Sequence, residues 1–160
     1  DPNPVMFFEH KALYRSIEED VPDDYYTIDV TKARKVQNGD DLTIITYGMG
    51  VHWAEAVLAK HKEISAELID LRTLLPWDKE TVLDSVKKTG KAIVLHEDTL
   101  TGGIGAEIAA FITEHAFQFL DAPVMRSGSL DTPVPFAREL EENFFQKVEF
   151  EAKLMELYNY

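Results

Sequence analysis

Residues Lys91–Phe119 read KAIVLHEDTLTGGIGAEIAAFITEHAFQF, and the change of period inside this stretch decides the fold. Ala92-Ile93-Val94-Leu95 is a short apolar run rich in β-branched residues, which predicts a buried strand. His96-Glu97-Asp98-Thr99 reads as a polar turn, followed by Gly102, Gly103 and Gly105. Beyond Gly105 the spacing becomes helical: Ile104, Ile108, Ile112 and Ala116 recur every four residues, with Ala109 and Phe119 widening the stripe. Strand, glycine turn and helix make half of a βαβ unit. In open α/β sheets, sites gather at the carboxyl ends of strands, where His96 and Glu97 stand.

The 160 residues fit one domain, and a hydrophobic content of 45% suffices for a sizeable core. Acidic residues number 29 against 16 basic ones, a formal net charge of -13. A nucleic-acid surface needs clustered Lys and Arg, so this balance argues against one and suits a basic protein partner. The absence of cysteine excludes disulfides and thiolate metal sites. No apolar run approaches the roughly 18 residues of a membrane span, and no signal peptide opens the chain, so the expected compartment is the cytoplasm or an organelle matrix. Without an initiator Met, and with Val5-Met6-Phe7-Phe8 reading as a strand already under way, the chain has the look of a piece of a longer one.

Outward from the central stretch, Lys11 to Ile17 predicts a helical turn and Glu18 to Asp24 a linker or surface loop. Lys35-Val36-Gln37 before Asn38-Gly39-Asp40-Asp41 reads as a strand entering a hairpin, with Leu42–Tyr47 the next strand. Gly48-Met49-Gly50 breaks that strand, and a helix is expected from Val51 to Lys62. Ala66–Leu71 is a further strand. Asp78 caps a helix running to Lys88 and Gly90 ends it. Pro123–Arg126 predicts a last short strand, Ser127–Phe136 a loop, Arg138–Phe145 a helix and Val148–Tyr158 a terminal helix. The order gives an α/β fold with helices on both faces of a mostly parallel sheet of about five strands, plus one antiparallel edge strand.

Two glycine turns invite a nucleotide-binding reading. Gly48-x-Gly50 follows a strand, and Asp70 closes the next one at the place of a ribose-binding acid. The third glycine position, however, holds Trp53, and in the second turn (Gly103-x-Gly105) it holds Ile108. The five histidines show no metal-ligand spacing, and His61 and His115 sit late in helices, where a cation is favourable. No GxSxG elbow is present. The residues assemble no complete active site.

HEDTLTGGIGAEIAAFI (96–112), preceded by ELIDLRTLLPWD (67–78) and followed by APVMRSGSLDTPVPF (122–136), closely resembles the C-terminal part of the β subunits of thiamine-diphosphate-dependent 2-oxo acid dehydrogenase first components. The opening DPNPVMFFEHKALYR (1–15) resembles the junction out of that subunit's upstream pyrimidine-binding domain, and VTKARKVQNGDDLTIITYG (30–48) the entry to its last domain. The resemblance implies a transketolase C-terminal-like fold: three layers, α/β/α, around a mixed five-stranded sheet. It also implies a division into residues 1–30, the junction, and residues 31–160, the domain. A β half of a fused α–β chain is equally compatible.

In that family thiamine diphosphate and magnesium are bound by other domains, one of them through a Gly-Asp-Gly motif; Gly39-Asp40-Asp41 lacks the second glycine. The resemblance therefore transfers no catalytic, cofactor or metal residue to this chain, and none of those is expected in it. It implies an assembly role, with an α subunit or α half, a second β copy and a dihydrolipoyl acyltransferase as partners, and no nucleic acid or membrane. The candidate interface falls on His96, Glu97, Thr101, Gly102, Gly103, Gly105 and Glu107, and on the loop carrying Asp131, Thr132, Pro133, Pro135 and Phe136. His-Glu-Asp-Thr replaces the commoner His-Glu-Ala-Pro, and Ser127-Gly128-Ser129 replaces Val-Thr-Gly, which leaves the choice among pyruvate, branched-chain 2-oxo acids and acetoin open, with a lean towards branched-chain or general 2-oxo acids.

Overall fold

Leu42–Thr46 forms a strand (β2) buried at every residue, as expected for a run with both faces covered. The computed structural model describes residues 2–145 and 147–160. Around β2 the chain builds β1 (Arg34–Gln37), α1 (Met49–Lys60), β3 (Ala66–Asp70), α2 (Lys79–Thr89), β4 (Ala92–Thr99), α3 (Ile104–Ala116), β5 (Met125–Ser129), α4 (Arg138–Phe144) and α5 (Lys147–Tyr158). The strand order is β1-β3-β2-β4-β5, antiparallel between β1 and β3 and parallel elsewhere.

The chain leaves β2 in one direction to reach β3, then crosses back past β2 to β4. Successive right-handed crossovers in opposite directions place α1 on one face and α2 on the other. Two cores result. Leu42, Ile44, Leu68 and Ile93 pack beneath α1 and α5, whose Phe150, Leu154 and Leu157 are buried. Ile45, Ile69 and Val94 pack beneath α2 and α3 through Val82, Val86, Ile108 and Ile112. Each fully buried Leu or Ile contributes about 1.5–3 kcal/mol of burial free energy, so the two layers outweigh any single polar contact.

Thr43 and Glu67 in the second layer are paired. Thr43 Oγ1 lies 2.7 Å from Ser85 Oγ and 2.8 Å from Thr89 Oγ1. Glu67, fully buried on β3, meets Lys35 of β1 at 2.9 Å and also Lys88 of α2. Burial opposes its charge, but Lys88, Lys35 and Ser85 outweigh that and hold the carboxyl below its ordinary value.

The expected three-layer α/β/α architecture is the observed one. Four local expectations are corrected. Val5–Phe8 is not a strand but exposed chain without a ladder. The strand at Lys35 does not form a hairpin with β2: it pairs with β3, which lies between them. A Cβ at Gly39 would overlap the backbone of Ala66, and Asp41 and Ser65 exchange hydrogen bonds of 2.9 and 2.7 Å, so the 38–41 turn is latched across the start of β3. His96–Thr99 continues β4 rather than turning, with a register shift against β5 between Leu95 and Thr99. The last strand is Met125–Ser129, later than the predicted Pro123–Arg126, so Ser127–Ser129 is strand and not loop.

Candidate functional site

The carboxyl ends of β2, β4 and β5 carry the polar residues singled out above. Strand alternation sets His96 on the same face as Val94, towards the start of α3, where it is fully buried. Three glycines make room for its imidazole. A Cβ at Gly105 would overlap the ring, and one at Gly103 or Gly128 would stand 2.8 Å from Cε1. The imidazole accounts for Gly105, while a Cβ at Gly103 would also overlap the Thr99 carbonyl oxygen and one at Gly128 would stand 2.8 Å from that of Asp98. Nδ1–H donates to the Asp98 carbonyl at 3.0 Å, which assigns the tautomer because a carbonyl only accepts. Nε2 therefore bears a lone pair; it has no hydrogen-bond partner among the described residues and lies against Gly103 and Gly105 at the start of α3. Burial, opposed by the Asp98 carbonyl, pushes the imidazole below its ordinary value. The positive end of the α3 dipole favours the same neutral form.

His96 consequently does not reach the surface, which corrects its placement as a contact residue: it supports the loops that do. Thr101 and Asp131 join those loops. The Thr101 N–H donates to Asp131 Oδ1 at 2.9 Å and its hydroxyl to Oδ2 at 2.7 Å. These two bonds from Thr101 hold the Asp131 carboxyl below its ordinary value. Arg126 Nη1 donates to the Leu100 carbonyl at 3.1 Å, and Ser129 Oγ donates to the carbonyl of Glu97. The 100–103 turn and the 130–136 loop thus form one ledge. Gly102 is in the left-handed region at φ 80°, with open space around it. On this ledge Thr132 and Pro133 are exposed, Pro135 is half-buried, and Phe136 is fully exposed. Glu107 is not part of it: it lines a separate notch with Trp77, Lys79 and Phe111.

Glu97 faces the other face of the sheet, where His10 Nε2–H donates to its Oε1 at 3.1 Å. Together they close one end of a cavity of about 800 Å³ that Met49, Trp53, Phe145 and Lys147 also line. Sequence reasoning missed this cavity. His10 stands 87 positions from Glu97, and no periodicity connects them.

The alternative nucleotide-binding reading rests on Gly48-x-Gly50 and Asp70, with Trp53 at the third glycine position weighing against it. Trp53 is half-buried and packed against the core beneath α1, its ring 5.6 Å from that of Phe145, while the neighbouring Ala54 is fully buried. Gly50 is needed because a Cβ would overlap the Thr46 hydroxyl. Asp70 does close β3, where its Oδ1 accepts from the Arg72 N–H at 3.0 Å and burial raises its pKa.

As for metals, no group of three His, Asp or Glu side chains arranged around an ion exists among the described residues. No helix there is long and apolar enough to cross a membrane.

Residues 31–149 match the family model described as "Transketolase, C-terminal domain". The chain is 50% identical over 141 residues to the mitochondrial 2-oxoisovalerate dehydrogenase subunit beta 2 of Arabidopsis thaliana, which covers 87% of the chain and 39% of that protein. Its identity to the 2-oxoisovalerate dehydrogenase subunit beta of Bacillus subtilis is 46%, covering 90% of the chain and 45% of the relative. The pyruvate dehydrogenase E1 component subunit beta of the same organism is likewise 46% identical, over 86% and 43%. The chain thus spans less than half the length of these relatives. Among solved structures, an inactive beta4 tetramer of a split-gene transketolase superposes with a TM-score of 0.70 at 23% identity, covering 89% of the chain and 46% of that one, and shares the fold.

Proposed function

The chain belongs to the transketolase C-terminal domain family, and from that premise we propose that it is the subunit-assembly and partner-docking domain of the decarboxylating component of a 2-oxo acid dehydrogenase. The whole enzyme would oxidatively decarboxylate a 2-oxo acid and pass the acyl group to a lipoyl arm. The relatives are named as β subunits of 2-oxoisovalerate and pyruvate dehydrogenases, which supports that class of substrate and a branched-chain or pyruvate type. An α subunit or α half and a second β copy are the expected partners in the first component. A dihydrolipoyl acyltransferase with a basic surface suits the net charge of -13. The compartment would be that of the enzyme, bacterial cytoplasm or organelle matrix.

The resemblance also brings thiamine diphosphate and magnesium to the parent enzyme. The residues present here do not fit that group. In the Gly39-Asp40-Asp41 turn, Gly39 is pressed on Ala66, the Asp41 carboxylate accepts from the Ser65 N–H, and Asp40 lies 3.6 Å from Lys88. Other domains of the parent enzyme would hold the cofactor.

The observation that carries the assembly reading is the Thr101–Asp131 clasp beside a fully exposed Phe136. Fixed geometry beneath an exposed aromatic side chain is what an interface anchor requires. The junction role proposed for residues 1–30 draws on burial: none of residues 2–30 is buried, and Val5, Met6, Phe7 and Phe8 are 68–88% exposed, an apolar surface of the kind that another chain segment covers. The test is reconstitution of the complete β subunit with its α subunit. Phe136→Asp should weaken assembly at least about tenfold, the scale of a central anchor, while leaving the melting temperature of the isolated chain unchanged. Assembly equal to wild type would overturn the reading.

A further inference from the structure

We propose that the cavity at the carboxyl ends of β2 and β4 binds a small zwitterion with an apolar side chain, an apolar α-amino acid. Its place in the sheet is the first support. β2 and β4 are parallel neighbours, and the chain leaves β2 through α1 towards β3 on one side and β4 through α3 towards β5 on the other. The loops after such a pair diverge, and the crevice between them is where ligands settle in open α/β sheets. Met49 opens α1 just after β2, Glu97 stands near the end of β4, and both line the cavity. Its volume of about 800 Å³ lies in the range of small-molecule sites.

The lining offers three kinds of contact. Met49, Trp53, Phe145 and Val148 form an apolar wall. Glu97 presents a half-buried carboxylate: Oε1 accepts from His10, and Oε2 has no partner among the described residues. Lys147 presents a cation, its Nζ 5.0 Å from the centre of the Trp53 ring and 5.9 Å from that of Phe145, with no carboxylate partner among the described residues. Arg138, by contrast, is paired with Glu142 at 2.9 Å. A purely anionic ligand would meet Lys147 but also face Glu97 and Glu141, which shares the lining. A purely cationic one would suit Glu97 and leave Lys147 without a counter-charge. A zwitterion matches both signs, its ammonium donating to Glu97, its carboxylate accepting from Lys147, and its side chain covering the apolar wall. The inference goes beyond the assembly reading and does not rest on it, because Thr101, Asp131 and Phe136 take no part in the cavity.

An amide-shift NMR titration of the 160-residue chain with L-phenylalanine tests it. Saturable shifts are expected at Met49, Trp53, Glu97 and Lys147. 2-Phenylethylamine and 3-phenylpropionate, which each keep one of the two charges, should bind at least about tenfold more weakly, the loss expected for one charge-assisted hydrogen bond. Glu97→Gln, whose amide oxygen still accepts from His10, and Lys147→Met, at an exposed position, should each weaken L-phenylalanine about tenfold and leave the melting temperature unchanged. Lys79→Met, outside the cavity, should bind as wild type does. No saturable shifts up to about 10 mM, shifts confined to other residues, a singly charged analogue that binds as tightly, or an affinity indifferent to either cavity substitution would overturn the proposal. Failure of Phe136→Asp to affect α-subunit assembly would leave these shifts untouched, so the two readings fail separately.

Discussion

His96 couples a buried side chain to the ledge on which Thr101 and Asp131 meet. Its neutrality has a consequence for pH. An imidazole pushed below its ordinary value in the folded state takes up its proton more readily unfolded, so its stabilising contribution is complete above the unfolded value of about 6.5 and is lost as pH falls below it. Asp98 and Arg126 act on the group from the same strand and from β5, with Asp98 opposing the effect of burial and Arg126 adding to it. His61 works in the opposite sense, because hydrogen bonds to Glu151 and Glu63 raise its value and favour the fold at low pH. Comparison with His96→Asn, whose amide still reaches the Asp98 carbonyl, isolates the site. The stability advantage of wild type over this variant should shrink as urea melts are taken from pH 7.5 to pH 5.5. An advantage that grows on acidification would contradict the neutral assignment. The place of His96 at the end of β4 was legible in the sequence. Its cage was not, because Gly128 comes from the next strand and reaches the ring only through β4–β5 pairing.

At the scale of elements, local chemistry was legible wherever it was self-contained. Asp78 caps α2 through Thr81 N at 3.2 Å, and Gly90 ends it at φ 71°, both as the sequence implied. Asp78 Oδ2 also accepts the Ala33 N–H at 3.1 Å, tying the entry to β1 onto α2. Asp78→Ala should therefore cost about 1–2 kcal/mol, at the upper end for a lost cap, read as a lower urea midpoint with unchanged slope. A change below a few tenths would mean that neither bond matters. Where pairing is non-local the sequence was silent. Asn38–Asp41 has hairpin composition, yet β3 inserts between its flanking strands, because a turn motif does not encode which edge remains open. The length of β4 was missed for a related reason. Polar His96–Thr99 belongs to the sheet only because β5 runs beside it, with Thr99 opposite Ser129.

Across the whole molecule, the two helical layers follow from apolar periodicity, while the candidate site depends on contacts between distant loops. Sequence alone nominated both loops of the ledge but also included Glu107, which belongs with the Trp77 notch instead. That separation leaves the ledge, proposed for partner assembly, to the 100–103 and 130–136 loops alone, above a sheet whose own job is to hold them fixed. Hydrogen exchange of the complete β subunit, free and assembled with its α subunit, tests the central claim most directly. The account predicts slowed exchange on assembly at residues 99–105 and 130–137. Protection confined to other surfaces, with both loops exchanging as in the free subunit, would contradict it.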